Sequence, residues 1–198
     1  MSDRPHHRPM LPGDRQIEAA SGSVDPAQLQ EAADRAATLL VRGAHHSADD
    51  RVAERLLHLA DEEGIETIAE VWSSSAGDSL AGCLWRLYLL RSWVYADPSG
   101  VAREYEAGRA RAPVARVVAG VADPPGPEEL KAMIDQVLRG IAEGEFADVL
   151  FRAAAFARVV ATGRAGLATA SHGEVTRMLA LSEQLEAAGH TELSHGLA

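Results

Sequence analysis

Two arginines lie within the most apolar segment of the chain, where a charged side chain needs an explanation. Arg86 and Arg91 have aromatic neighbours at Trp85, Tyr88 and Trp93. A guanidinium in apolar surroundings needs a carboxylate, a hydrogen-bond acceptor or an aromatic face. The pattern therefore predicts one of two arrangements. In the first, which we favour, each arginine pairs with a carboxylate of a neighbouring helix or extends its charged end to the surface. In the second, the five side chains form a pocket for a small anionic molecule.

The segment that carries these residues is rich in core-forming side chains. Residues 72–95 hold all three Trp, two of the three Tyr, the only Cys and the densest run of Leu. Such a concentration is typical of a hydrophobic core. Its second part, about residues 79–95, is apolar on two helical faces, which predicts a buried central helix. Cys83 falls in one apolar stripe with no evident base beside it, so we interpret it as a packing residue and not as a nucleophile.

Composition limits the class of protein. The chain has 198 residues, of which 46% are hydrophobic and 24% charged, as expected for one globular domain with tails. The net charge of −10 argues against binding of nucleic acid. The longest apolar stretch, 80–95, is interrupted by arginines and is a poor membrane span, so we expect no membrane partner. The polar, Pro-rich start does not resemble a signal peptide, and we expect a cytoplasmic protein.

Apolar residues recur at helical spacing along most of the chain, and no segment alternates as a strand does. Asp25–Pro26 and Asp97–Pro98 each combine a capping carboxylate with a proline at the first helical position. We therefore predict an all-α fold, a compact bundle of about six to eight helices around the buried central helix, with flexible termini. Residues 1–24 would form a flexible N-terminal arm, 25–163 a helical domain, and 164–198 a linker plus a C-terminal amphipathic helix and tail.

The last predicted helix, about residues 174–188, has a broad apolar face. We expect this face to be packed, on its own bundle in preference to a second copy of the chain. If the helix reaches another chain instead, its candidate partner-binding residues are Met178, Leu181 and Leu185. Gly189 should end the helix, and residues 190–198 should be mobile.

A short motif at the start of the central helix could indicate catalysis. Gly77–Asp78–Ser79–Leu80 resembles, over these four residues, the signature of GDSL-type esterases, in which the serine is the nucleophile. That resemblance implies a serine on a turn after a β-strand, with a His and an acid supplied from the C-terminal region. The preceding residues follow a helical pattern, and no Asp-x-x-His lies near the C-terminus. We expect Asp78 or Ser79 to cap the helix, and we assign no catalytic residue.

Glu54, His58 and Glu62 lie four residues apart and share one face of a predicted helix, which could begin a divalent metal site. Metal sites in bundles use inward-facing Glu-x-x-His pairs on two helices. Here the spacing is Glu-x-x-x-His, and the face lies opposite the apolar stripe of the same helix. We therefore expect a solvated acidic face, with no metal and no cofactor.

Residues 60–65 have the small-residue and glycine spacing of a helix-turn-helix turn. The helix that follows carries Glu66 and Glu70, which a phosphate backbone would repel, so a helical hairpin is the better interpretation.

The one basic stretch, 103–116, has four Arg against two Glu. It could dock an acidic partner, but we favour neutralisation of the protein's own acidic helices.

The function predicted from these observations is a non-catalytic helical binding or regulatory module that acts through protein–protein contacts. Its partner would be another protein or a second copy of the chain. One alternative is a sensor of a small anionic ligand with a pocket near Arg86, Arg91 and the Trp residues. Another is a cytoplasmic enzyme with scattered site residues. A cavity beside Trp85 or Arg91 would favour the sensor, and clustered carboxylates or His in a cleft would favour the enzyme.

Overall fold

The computed structural model describes residues 26–47, 64–120, 126–143, 145–167 and 170–197. Within these ranges the chain forms eight α-helices and no strand, which confirms the predicted all-α class. The helices are α1 (Pro26–Ser47), α2 (Gly64–Trp72), α3 (Leu80–Ala96), α4 (Pro98–Arg109), α5 (Pro113–Ala119), α6 (Pro127–Glu143), α7 (Phe146–Leu167) and α8 (His172–His195).

Some sequence predictions fall outside the described residues. The predicted N-terminal arm, 1–24, is one of them. The others are the Glu54, His58 and Glu62 set and most of the helix-turn-helix-like segment 60–65.

Local capping explains where two of the helices begin. The Oδ1 atom of Asp97 accepts a hydrogen bond from the backbone N–H of Gly100 at 2.9 Å, and Pro98 occupies the first turn of α4. The Oγ atom of Ser79 accepts one from the N–H of Gly82 at 3.1 Å at the start of α3. Each side chain satisfies a backbone donor that the first turn leaves unpaired. The caps predicted at Asp97 and Ser79 are confirmed, and the cap predicted at Asp25 lies outside the described residues.

Helix α3 is the buried central helix of the fold. It packs against α1, α2, α4, α6, α7 and α8. Its fully buried side chains include Leu80, Leu84 and Leu87, and Tyr88 stacks on Trp72 of α2 with ring centroids 6.1 Å apart. The indole N–H of Trp72 donates to the carbonyl oxygen of Ala33 at 3.1 Å, so the same aromatic pair also holds α1.

Helices α4 and α7 cross with their backbones in contact. A Cβ atom on Gly163 of α7 would overlap the carbonyl oxygen of Glu104, and one on Gly108 of α4 would overlap the carbonyl oxygen of Val159. Neither position therefore has room for a side chain, since a packed backbone cannot move aside as a flexible side chain can. The crossing fixes the distance between α4 and α7.

The C-terminal region differs from its prediction. Helix α8 continues through Gly189 to His195, and Leu197 is buried, so the prediction of a mobile tail is wrong for residues 190–197. Arg42 of α1 pairs with Glu192, and the backbone N–H of Leu197 donates to Oε2 of Glu192 at 2.7 Å. Gly189 has a packing role instead of ending the helix, because an added Cβ atom would lie 2.9 Å from the ring of Phe151.

The connection between α7 and α8 is also shorter than the predicted linker. Helix α7 continues to Leu167, and α8 begins at His172 after the capping residue Ser171. The apolar face of α8 packs along α7 and against α3 of its own chain. The first residues of the predicted linker therefore belong to α7.

We expect Gly163→Ala to lower the free energy of unfolding by about 2 kcal/mol or more, because the methyl group forces α4 and α7 apart. Gly173→Ala is the matched control, since its Cβ atom would meet only the Nη1 atom of Arg177 at 3.7 Å. That change should be neutral or stabilise by about 0.5 kcal/mol through reduced backbone entropy. Urea unfolding followed by circular dichroism measures both, and equal effects would mean that the crossing is not tight.

Candidate functional site

A cleft of about 480 Å³ lies between α3 and the first half of α8. Its apolar walls are formed by Trp85, Leu89 and Trp93 from one helix and by Met178 and Leu181 from the other. Trp85, Leu89 and Trp93 are spaced four apart, so they share one face of α3. Both indoles are half-buried, and the side chain of Leu89 is 41% exposed. The arrangement is an open cleft with two aromatic walls.

Three arginines and one glutamate border this apolar surface. The first arginine, Arg86, is held in place across the two helices: its Nε atom donates to Oε1 of Gln184 at 2.8 Å and its Nη1 atom to the carbonyl oxygen of Gly82 at 2.7 Å. Arg177 is exposed and makes no hydrogen bond or ion pair within the described part of the chain. An exposed cation therefore lies at the edge of the cleft.

The glutamate of the cleft, Glu174, is committed to the start of α8. Its Oε2 atom accepts hydrogen bonds from the backbone N–H of Ser171 at 2.8 Å and from the Ser171 hydroxyl at 2.7 Å. These two bonds lower the pKa of Glu174, because they stabilise the carboxylate form. Glu174 therefore remains ionised as a cap.

Arg164 on α7 is the third arginine of the cleft, with 15% of its side chain exposed. Its Nε atom donates to Oε1 of Glu104 on α4 at 2.9 Å. Its guanidinium carbon lies 5.2 Å from the centroid of the Trp93 ring. The cation is thus held between a carboxylate and an indole face, an arrangement that suits the planar guanidinium group.

The carboxylate of this pair has unusual surroundings. The Oε2 atom of Glu104 is buried and has no hydrogen-bond partner in the described structure. Burial raises the pKa of Glu104, while the hydrogen bond from Arg164 and the charge of that residue act in the opposite direction. The net direction is upward, so the carboxyl group takes up a proton more readily than an ordinary glutamate does.

The structure separates the five residues predicted as ligand-binding. Trp85, Arg86 and Trp93 line the cleft, whereas Tyr88 and Arg91 do not. Successive residues of a helix turn by about 100°, which places Arg91 on the far side of α3 from the cleft. Tyr88 lies one turn from Trp85 at the border of the two sides, and its side chain is buried in the core. The spacing in the sequence separates these residues around the helix, but it does not show which of them face solvent.

Arg91 has the ion pair that the sequence analysis favoured. It is 6% exposed, and its Nε atom donates to Oδ1 of Asp135 on α6 at 2.9 Å. Its guanidinium carbon lies 4.1 Å from the ring centroid of Tyr95, whose hydroxyl donates to Oδ2 of the same aspartate at 2.6 Å. These contacts join α3 to α6 and give Arg91 a structural role.

The residues predicted to bind a partner are divided in a similar way. Met178 and Leu181 face the cleft, and Leu185 is fully buried in the core. The structure therefore brings Met178 and Leu181 opposite Trp85 and Trp93, although the sequence analysis treated the two sets separately. The sequence analysis did not identify Arg164, which lies in the predicted linker, or Arg177, which lies on a polar face of the last helix.

The GDSL-like motif has a capping role and lacks its catalytic surroundings. Besides accepting from the N–H of Gly82, the hydroxyl of Ser79 donates to the carbonyl oxygen of Ala76 at 2.9 Å. The described residues contain no β-strand that could present the serine on a turn. Cys83 is buried, and burial raises the pKa of its thiol to about 12, so the thiolate is scarce at neutral pH.

Within the described ranges, no group of three or more His, Cys, Asp or Glu side chains is placed to hold a metal ion. None of the helices in this part of the chain combines the length and the apolar character that a membrane span needs.

Comparisons with protein-family models, with curated protein sequences and with solved structures give no significant match for this chain.

We expect Asp135→Ala to lower the free energy of unfolding by about 3 kcal/mol, because it leaves the buried Arg91 cation without its carboxylate. Glu128→Ala on the same helix is the control. Glu128 pairs with Lys131 at 3.1 Å but is largely exposed, and exposed pairs contribute little. Thermal and urea unfolding compare the two variants, and a similar loss in both would show that Arg91 does not depend on Asp135.

Proposed function

We propose that this protein is a non-catalytic binding protein for a small apolar anion, which it takes up in the cleft between α3 and α8. The observation that carries the proposal is the combination of two indole walls with three arginines around one opening. Aromatic and aliphatic walls suit an apolar body, and guanidinium groups suit a carboxylate, sulfonate or phosphate. This was the first alternative from the sequence.

The size of the cleft fits a small molecule. Its volume of about 480 Å³ lies within the usual range for sites that enclose drug-sized ligands. Burial of roughly 200 Å² of apolar ligand surface contributes about 5 kcal/mol. Lost translational and rotational freedom offsets much or all of that. A charge-assisted hydrogen bond adds about 1.5–3 kcal/mol, so tight binding requires both the apolar body and the anionic group.

The negative net charge of the chain does not oppose this proposal at short range. The whole protein carries −10, but charges beyond about 10 Å are largely screened at ordinary ionic strength. Around the cleft, the three arginines Arg86, Arg164 and Arg177 outnumber two carboxylates, Glu174 in the lining and Glu104, which pairs with Arg164. The local field at the opening is therefore positive.

The two other functions expected from the sequence have less support. A module that binds proteins through the apolar face of α8 would need that face exposed, whereas Met178 and Leu185 are buried on the protein's own bundle. An enzyme would need reactive groups in the cleft. Its described lining holds no histidine, cysteine or serine, and its only carboxylate is Glu174. Ligand binding without chemistry is the function that this lining favours.

Isothermal titration with a panel of aryl sulfonates, aryl carboxylates and medium-chain fatty acids tests the proposal. We expect micromolar dissociation constants for at least one class, with weaker binding of the uncharged alcohol of the same shape. Leu89→Glu puts a carboxylate at the exposed edge of the cleft and should weaken binding about tenfold or more. Leu193→Glu is the matched control, because Leu193 is 66% exposed and does not line the cleft.

Two outcomes would contradict the binding function. One is that no member of the panel binds more tightly than about millimolar, which amounts to roughly 4 kcal/mol of binding free energy. The other is that Leu89→Glu and Leu193→Glu bind the ligands equally well.

A further inference from the structure

We propose that Arg164 is the anion anchor of the cleft and Glu104 its internal counter-ion, which takes up a proton when a ligand's anionic group replaces it. This coupling rests on the proposed function, because it needs an anion in the cleft. It adds to that function the residue that holds the anion and a dependence of affinity on pH.

The position of Arg164 is the first reason. Its side chain lines the cleft and also a second cavity of about 780 Å³, which Glu104 lines as well. The guanidinium therefore forms part of the wall between the two spaces. Its Nε atom is used by Glu104, whereas its Nη atoms make no hydrogen bond within the described part of the chain. Those N–H groups are the donors that an incoming anion can use.

The second reason is that Glu104 is poorly suited to remain a carboxylate without Arg164. Its side chain is 12% exposed, and its Oε2 atom is buried without a partner. Among the described residues, the charged groups that face it are Arg164 from α7, Asp97 at the junction of α3 and α4, and Arg103 on its own helix. Burial is the main cause that raises the pKa of Glu104, and the charge of Asp97 adds to it, so Arg164 is the main group that keeps the proton off.

A ligand anion on Arg164 changes this balance. Two anions would then share one enclosed cation, and the attraction between Arg164 and Glu104 would weaken. Uptake of one proton from solvent by Glu104 removes the second negative charge. The resting site holds the Glu104 carboxylate and the Arg164 cation, and the occupied site holds the neutral Glu104 acid and the Arg164–anion pair. The net charge of the enclosed site is therefore the same in both states.

The sign of the pH dependence follows from this exchange. Because binding takes up a proton, affinity rises as pH falls, by at most about tenfold per pH unit for one coupled proton. The effect is confined to the window between the pKa of Glu104 in the resting protein, already above its ordinary value, and its higher pKa in the complex. Above that window the ligand must compete with an ionised Glu104.

The experiment is calorimetric titration of the wild-type protein with naphthalene sulfonate between about pH 5 and pH 8, in buffers of different ionisation enthalpy. The sulfonate is ionised throughout, so any proton taken up belongs to the protein. We expect up to one proton per ligand bound in the wild type. Glu104→Gln should bind about tenfold more tightly at the upper pH and lose both the uptake and the pH dependence. Arg164→Met should weaken binding about tenfold or more.

Glu106→Gln is the matched control, an exposed acid on the same helix that pairs with Arg109 and not with Arg164. It should leave affinity and proton uptake unchanged.

Binding without proton uptake, or uptake that persists in Glu104→Gln, overturns the coupling and leaves the binding function intact. Unchanged affinity in Arg164→Met overturns the anchor. Failure of every anion of the panel to bind the wild type overturns the binding function itself. If Glu104→Gln does not fold, the wild-type proton count still decides whether binding is coupled to protonation.

Discussion

The contact between the backbones of α4 and α7 is the constraint on which the candidate site depends. Gly108 and Gly163 have no side chains at the crossing, so α7 approaches α4 at the carbonyl oxygen of Glu104. Arg164 follows Gly163 directly, and its Nε atom therefore lies within hydrogen-bonding distance of Glu104. A side chain at either glycine would separate the helices and lengthen that contact. The two glycines thus allow the Arg164–Glu104 ion pair to form beside the cleft.

The two sides of α3 serve different purposes, although its sequence is apolar nearly all round. One side carries Tyr88 and Arg91 and completes the core, where the Arg91–Asp135 pair joins α3 to α6. The other side carries Trp85 and Trp93, and α8 covers it only in part. On that side Leu89 is 41% exposed between the two indoles, so this apolar helix is not buried all round. The cleft is the consequence of that incomplete cover.

Local sequence signals predicted the fold class and the helix starts, because capping at Ser79 and Asp97 depends on residues within one turn. Arg91 was also predictable, since a cation on an apolar helix requires a partner. The C-terminal region was not. Gly189 looks like a helix stop in a single sequence, but it is small because Phe151 lies against it. The role of Arg164 depends on a crossing between helices distant in the chain, which no local pattern encodes.

The Nε–H resonance of Arg164 in a nitrogen-15 NMR spectrum reports whether an anion in the cleft reaches this side chain, because the group donates to Glu104 at 2.9 Å. The resonance can be assigned by its loss in Arg164→Lys. During titration with naphthalene sulfonate, we expect a large, saturable shift of this resonance. The Nε–H of Arg91, which bonds to Asp135 on the far side of α3, should stay unchanged. Saturable binding that leaves the Arg164 resonance in place would show that Arg164 does not hold the anion.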